Sequence, residues 1–240
     1  MIRLPIANQA KHYEVAPSKI VALGKNYRDH IAEMETVQVA SFDLEIPTEP
    51  ILFPKTPNVL IGPGDPIVIP AFVHDCGFDD VSTHYEAELA FIIKERCKHV
   101  AEADAYDVIL GYTCMNDVSQ RNIQSGDKSG WFRGKSLDTF GPIGPRLVMS
   151  QDVPDPQHLG IQCRLNGTTV QDGNTNQMIF SIRKMVAFIS CNFTLEPRDI
   201  IMTGTPAGVG PIAHGDVVEV EIEGIGTLSN PVIDERFASA

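Results

Sequence analysis

The sequence predicts a β-rich fold with few helices, and three observations carry that expectation. Turn residues punctuate the chain densely. Between Pro47 and Pro70, the apolar pieces at 51–53, 59–61 and 67–69 are each cut off within a few residues, and Pro63-Gly64-Asp65-Pro66 forms a turn. Apolar and polar residues alternate with period two around residues 84–89 and 217–222. Only residues 178–193 hold a sustained helical period, with Ile179, Ile182, Met185, Val186 and Ile189 on one broad face.

At 240 residues, 43% of them apolar and 21% charged, the chain has the make-up of a soluble globular protein able to bury one sizeable core. A formal net charge of −12 argues against a nucleic-acid partner, but not against a small anionic substrate met by a few placed cations. The five cysteines are odd in number and show no C-x-x-C spacing, which fits reduced thiols of a cytoplasmic protein rather than disulfides or a zinc site. No basic-then-apolar leader opens the sequence, and no apolar run is long enough to span a bilayer, so no membrane partner is expected.

In chain order, residues 19–24 read as a short buried strand closed by glycine. Residues 25–35 read as a short helix, and there His30 and Glu33, three apart, share a face. A glutamate beside a histidine orients the imidazole and raises its basicity, as a general base acting on water requires; an incidental pair on a solvated helix has the same spacing. Residues 36–50 read as a loop.

Residues 84–93 read as one strand. There Glu86 and Glu88 project to one face with His84 in the same row, while Tyr85, Ala87 and Leu89 face the other way. Two carboxylates so close repel unless a positive charge lies between them, and a divalent cation is the simplest candidate. Taken alone, the same pattern fits a half-solvated strand with its glutamates in water. Residues 108–115 form a strongly apolar strand ending at Asn116-Asp117, which leaves a carboxylate at the strand end; Asn-Asp is also a common turn pair. Arg121 and Gln124 fall on a short helix, and Lys135 sits in a loop rich in glycine and proline at 132–142.

Asn166-Gly167 is a strong hairpin turn after a strand at 161–165, and residues 171–176 read as polar loop. A strand at 199–203 runs into Gly204-Thr205-Pro206-Ala207-Gly208-Val209-Gly210. This is neither a Walker A loop nor a dinucleotide fingerprint; its glycines, Gly204 first, permit close backbone approach to a ligand. Glu219 and Glu221 on the strand at 217–222 read as a solvated row.

From about Ile20 to Val232 these pieces, in this order, resemble the fumarylacetoacetate hydrolase family. The resemblance is carried by Gly24-Lys25-Asn26-Tyr27 with His30 and Glu33, by Tyr85-Glu86-Ala87-Glu88-Leu89, and by Asn116-Asp117 with Arg121 and Gln124. Gly134-Lys135-Ser136 through Gly141-Pro142, Met178-Ile179-Phe180 and the loop from Thr203 to Gly210 complete it. The resemblance implies an α+β fold, a β-rich mixed-sheet roll. It also implies one catalytic domain at 19–240 after an N-terminal flank at 1–18, acting as a homodimer.

It implies that Glu86, Glu88 and Asp117 bind Mg²⁺ or Mn²⁺, with Ca²⁺ as a stand-in in crystals; three carboxylates without a His/Cys cluster suit a hard cation. His30 and Glu33 take the place of the water-activating dyad on a lid helix, and the segment at 28–45 is expected to close on ligand. Lys135 takes the place of the residue that stabilises oxyanion charge, and Arg121, Gln124, Gly204 and Thr205 those of substrate contacts. The implied activity is metal-dependent hydrolysis of a C–C bond in an acylpyruvate or other 2,4-dioxo acid. Decarboxylation of a 2-oxo acid or isomerisation of a 2-hydroxy-dienedioate on the same site stands beside it, with a non-catalytic cation-binding module as the reading from another class. Members share chelation of a 2-oxo acid by a metal that acts as Lewis acid and stabilises the enolate. The common pattern Ser-Ala-Arg-Asp-x-Gln after the metal aspartate is here Ser119-Gln120-Arg121-Asn122-Ile123-Gln124, a departure that leaves the metal ligands in place and the substrate open.

Overall fold

A computed structural model describes residues 1–33, 45–126, 128 and 131–237. The strands are β1 (Arg3–Pro5), β2 (His12–Glu14), β3 (Ile20–Gly24), β4 (Ile51–Lys55), β5 (Leu60–Ile61), β6 (Ile67–Ile69), β7 (Thr83–Tyr85), β8 (Ala87–Ile93) and β9 (Ile109–Asn116). They continue with β10 (Ser119–Gln120), β11 (Gly141–Met149), β12 (Gly160–Leu165), β13 (Thr168–Asn174), β14 (Ile200–Met202), β15 (Gly210–Pro211), β16 (Val217–Ile222) and β17 (Gly226–Asp234). Among the described residues the α-helices are α1 (Arg28–Glu33), α2 (Arg121–Gly126), α3 (Phe132–Lys135) and α4 (Ile182–Asn192). The β-rich, mixed-sheet expectation holds.

A seven-stranded sheet, ordered β4-β3-β14-β8-β9-β11-β5, is the centre of the molecule. It is mixed: β14 runs parallel to β3 and antiparallel to β8, which is antiparallel to β9. Both faces are covered, so alternate residues feed two apolar clusters. Ile20, Ala22, Ile92, Ile200 and Met202 pack on one face with Leu4 and Val15 from the β1–β2 end of the chain. Val21, Leu23, Leu89, Phe91 and Ile201 pack on the other with α4 and a five-stranded sheet, ordered β13-β12-β16-β17-β6. A three-stranded sheet, β10-β7-β15, completes the curl.

Four sequence expectations differ from the structure. Lys135, expected in a loop at 132–142, ends helix α3, whose last turn is closed by the Lys135 N–H donating to the Trp131 carbonyl. The strand expected at 84–93 is two strands, because Glu86 leaves the ladder between β7 and β8 and the chain passes there from one sheet to another. The polar loop expected at 171–176 is largely strand β13. Asn166 and Gly167 both have positive φ, a turn that sets β13 antiparallel on β12 whatever its polarity. Helix α4 begins at Ile182 rather than at 178, since the N–H groups of Ile179 and Phe180 donate to the backbone and side-chain oxygens of Asn26 and hold that segment extended. Ser181 then caps the helix by accepting from the Lys184 N–H.

Candidate active site

The ladder between β8 and β9 ends at the pair Ala87–Asn116. The next residue on each chain, Glu86 and Asp117, is therefore brought face to face, and the Asp117 N–H donates to the Glu86 carbonyl at 2.9 Å. Asn116 seals the break by accepting from the Glu86 N–H at 2.9 Å. Glu88, one pleat further in, points to the same side, and ligand oxygens of Glu86, Glu88 and Asp117 lie within 4.8 Å of one another, all three residues buried.

Cations surround this cluster. Lys135 Nζ donates to Glu86 Oε2 at 2.8 Å and to Asp117 Oδ2 at 2.6 Å. Arg121 reaches Glu86 Oε1 at 2.6 Å and donates to Gln124 Oε1 at 2.9 Å. Lys55, at the end of β4, donates to Asp117 Oδ1 at 2.5 Å. Burial pushes the Glu86 carboxyl up, but Lys135 and Arg121 outweigh it and hold it well below the usual carboxylate range. Glu88 goes the other way: burial, then the charges of Asp117 and Glu86, raise it well above that range. His84 turns its Nε2 to the Ser82 hydroxyl at 2.7 Å and is pushed down to about 3 by burial and then by Arg121, so it stays neutral beside the carboxylates.

The donor set fits a hard divalent cation. It is all oxygen, it is buried, and Tyr27, whose buried hydroxyl has no hydrogen-bond partner among the described residues, feels the Glu88 charge. Such an orphaned donor suits the hydration shell a Mg²⁺ or Mn²⁺ ion carries in with it.

Helix α1 brings the dyad. His30 Nδ1 and Glu33 Oε1 lie 2.7 Å apart, and the other Glu33 oxygen accepts from the Gly208 N–H at 2.6 Å. Glu33 thus pins the helix to the glycine loop while it orients the imidazole. The loop is shaped for this. Gly204 has φ +89, a side chain there would run into Asn26, and its N–H donates to Glu88 Oε2 at 2.8 Å. Thr205 Oγ1 accepts from Gln171 Nε2 at 2.8 Å, and Gln171 Oε1 accepts from the Ala87 N–H at 2.9 Å, so the loop is tied to the strand that carries Glu88.

One cavity of about 20 Å³ joins these parts. Glu86, Arg121, Gln124 and Lys135 line it together with His30 and Thr205, and Leu23, Phe53 and Trp131 give it an apolar side. The expected site residues are therefore brought together, while the expected closure of residues 28–45 lies largely outside the described residues. Lys55 and Gln171 escape the sequence reading. Period two on β4 places Lys55 on the inward face with Phe53, a signal the sequence does carry. The residues that depart from the common pattern build structure: Gln120 Oε1 accepts from the Ile123 N–H at 3.0 Å, and Asn122 accepts from the Ser82 N–H and donates to the Asp80 carbonyl, each at 2.8 Å.

Comparison with known proteins agrees with this picture. The family model described as fumarylacetoacetate (FAA) hydrolase C-terminal matches residues 19–233. A mitochondrial oxaloacetate tautomerase of Xenopus laevis is 42% identical over 226 residues, 90% of this chain and 66% of that protein. The crystal structure of 2-hydroxyhepta-2,4-diene-1,7-dioate isomerase from Mycobacterium marinum superposes with a TM-score of 0.78 at 40% identity, covering 94% of this chain and 78% of that one. Fumarylpyruvate hydrolase from Pseudomonas aeruginosa, in complex with Mn²⁺ and pyruvate, superposes with a TM-score of 0.83 at 27% identity, covering 97% and 95%. With its sheet-rich fold, its buried acidic triad and a match across nearly its whole length, this chain belongs to the fumarylacetoacetate hydrolase family.

Proposed function

We propose that the protein is a Mg²⁺- or Mn²⁺-dependent hydrolase that cleaves the C–C bond of an acylpyruvate or a related 2,4-dioxo acid. The observation that carries this reading is the His30–Glu33 pair, hydrogen-bonded at 2.7 Å, whose His30 lines the same cavity as Glu86 of the acidic triad. Glu86, Glu88 and Asp117 are the ligands in this reading; the ion supplies Lewis acidity to the 2-oxo acid end of the substrate.

The chain's own residues do the rest. The Glu33 carboxylate accepts from Nδ1, so the neutral ring of His30 carries its proton there and presents Nε2 as a base. Nε2 takes a proton from water as the water oxygen adds to the remote carbonyl carbon. The C–C bond then breaks, its electron pair enters the enolate of the pyruvate half, and His30 returns the proton to that carbon. Lys135 and Arg121 offset the charge that develops on the enolate, and Gln124 and Thr205 hold the substrate. The products are pyruvate and a carboxylic acid.

A second reading, keto–enol tautomerisation or decarboxylation of a small 2-oxo acid such as oxaloacetate, is favoured by the tautomerase relative. A panel of 2,4-dioxo acids and oxaloacetate, each with Mg²⁺ or Mn²⁺, separates the two. Release of pyruvate from the dioxo acids supports hydrolysis; turnover of oxaloacetate alone replaces it with the second reading.

A further inference from the structure

The cavity has two chemical halves. Glu86, Arg121, Gln124, Lys135, Thr205 and His30 are accounted for by the metal, the substrate and the water, and Lys25 adds a further cation to the lining. The proposed reaction leaves its apolar part unused. That part consists of Leu23 and Gly24 at the end of β3, Phe53 on β4 and Trp131 at the head of α3. These pieces interlock. The Phe53 and Trp131 rings meet edge-on with centroids 5.6 Å apart. A Cβ placed on Gly24 would lie 2.5 Å from Trp131 Cζ3, so the indole occupies the volume a side chain at position 24 would need. Trp131 itself has φ +71, a left-handed backbone that a tryptophan adopts only when its surroundings hold it there. Its carbonyl accepts from the Lys135 N–H at 3.2 Å, so the turn that carries the indole also carries the lysine of the acidic cluster.

A substrate gripped at its 2-oxo acid end must project its remote carbonyl substituent against this aromatic side. There a bulky group would meet the indole.

We propose that Trp131, buttressed by Phe53 and by the missing side chain at Gly24, is a specificity-determining residue that restricts the substrate's acyl group to a compact one, of acetyl size rather than aryl size. This rests on the hydrolase reading above for the identity of the acyl group, though not for the existence of the wall.

The test uses two 2,4-dioxo acids that differ only in the acyl substituent, methyl or phenyl. They are assayed with Mn²⁺ on the wild type and on Trp131→Phe, Trp131→Leu and Trp131→Ala, a series that keeps the inference testable if one variant fails to fold. The wild type should prefer the methyl substrate by about 10²-fold in kcat/KM. Trp131→Ala should narrow that preference by at least about tenfold, mainly through KM of the phenyl substrate, with the other variants graded by side-chain volume. The methyl-to-phenyl ratio is the readout, because a general loosening of α3 would lower turnover of both substrates together.

Calorimetric binding of oxalate and of phenylpyruvate to the Mn²⁺-loaded proteins gives a readout without turnover. Oxalate has no acyl group and should bind all variants alike, while phenylpyruvate should bind more tightly as residue 131 shrinks. Gain for phenylpyruvate without turnover of either dioxo acid upholds the wall and overturns the hydrolase reading. An unchanged methyl-to-phenyl ratio together with unchanged phenylpyruvate affinity overturns the wall, whatever the reaction is.

Discussion

Lys55 Nζ lies 2.5 Å from Asp117 Oδ1, and neither side chain has any exposure to solvent. Burial pushes the lysine down from its ordinary pKa, and Asp117 opposes that shift. A buried pair of this kind is costly to break from one side, because the group left behind keeps its desolvation cost. Lys55→Met keeps the length of the side chain and removes the charge. The metal-free variant should lose roughly 3 kcal/mol of stability, the low end for a broken buried pair, because Lys135 still contacts the other Asp117 oxygen. Mn²⁺ supplies a replacement charge, so its gain in Tm should be larger in the variant than in the wild type. Calorimetric melting with and without Mn²⁺ decides it; equal gains would mean that Lys55 and the ion do not share Asp117.

Glu88 makes the metal-free protein sensitive to pH. Its folded-state pKa is raised by burial and then by Asp117 and Glu86, with Lys135 and the Gly204 N–H opposing. A raised carboxyl binds its proton more tightly in the folded than in the unfolded chain. Its contribution is therefore full below the ordinary glutamate pKa and is lost as pH rises from there through the raised value. Glu88→Gln mimics the protonated acid. It should remove that part of the pH dependence, be at least as stable as the metal-free wild type at neutral pH, and fail to bind Mn²⁺. In the wild type, Mn²⁺ affinity should climb over the same pH window as the proton is displaced. Titration calorimetry across pH checks this, and Mn²⁺ binding by Glu88→Gln with wild-type affinity would contradict it.

Much of this site was legible because its chemistry is local in the chain. The spacing of Glu86 and Glu88, the strand end at Asp117 and the pair His30–Glu33 are patterns of two to four residues. The missing parts depend on contacts across the fold. Period two places Lys55 inward with Phe53, but only the pairing of β4 on β3 brings it to Asp117, and Gln171 reads as loop because β13 is polar and is held by its turn and partner rather than by its own pattern. Strand β17 hid for a similar reason: its inward row includes Asn230, buried because its amide donates to the Gly62 and Asp65 carbonyls at 2.8 Å. Polar residues satisfied by distant backbone groups break the apolar alternation from which strands are read.

His30→Ala separates the two readings of the reaction. Adding water to a carbonyl needs a base, and losing a positioned general base costs about 10²–10⁴-fold in rate. Loss of CO₂ from oxaloacetate needs no activated water. The variant should therefore lose dioxo acid hydrolysis by that factor and keep much of any decarboxylation. Loss of both in equal measure would make His30 a positioning residue for the substrate, and unchanged hydrolysis would remove it from the mechanism.

Gly208 is a remote test of the dyad. Its N–H holds Glu33, its carbonyl accepts from the Tyr85 hydroxyl at 2.9 Å, and its φ is +101. A Cβ there would collide with the Val170 carbonyl on β13. Gly208→Ala must therefore move the loop, strained both by its backbone and by that contact. Glu88 sits on β8, Glu86 just before it and Asp117 just after β9; none bonds Gly208 itself, and Glu88 meets the loop only through the Gly204 N–H, so Mn²⁺ affinity should fall far less than kcat. Glu33 loses its anchor, and His30, oriented through Glu33, loses its direction. A displacement of the order of 1 Å in a catalytic group costs about 10²-fold in rate, and that loss should appear in kcat for the dioxo acid rather than in metal binding. Glu33→Gln serves as the comparison, since its single amide oxygen can accept from Gly208 or from Nδ1 but not from both. If Gly208→Ala retains full kcat, Glu33 does not need the loop to aim His30. If Mn²⁺ binding falls in step with kcat, the glycine loop supports the metal ligands and not the dyad.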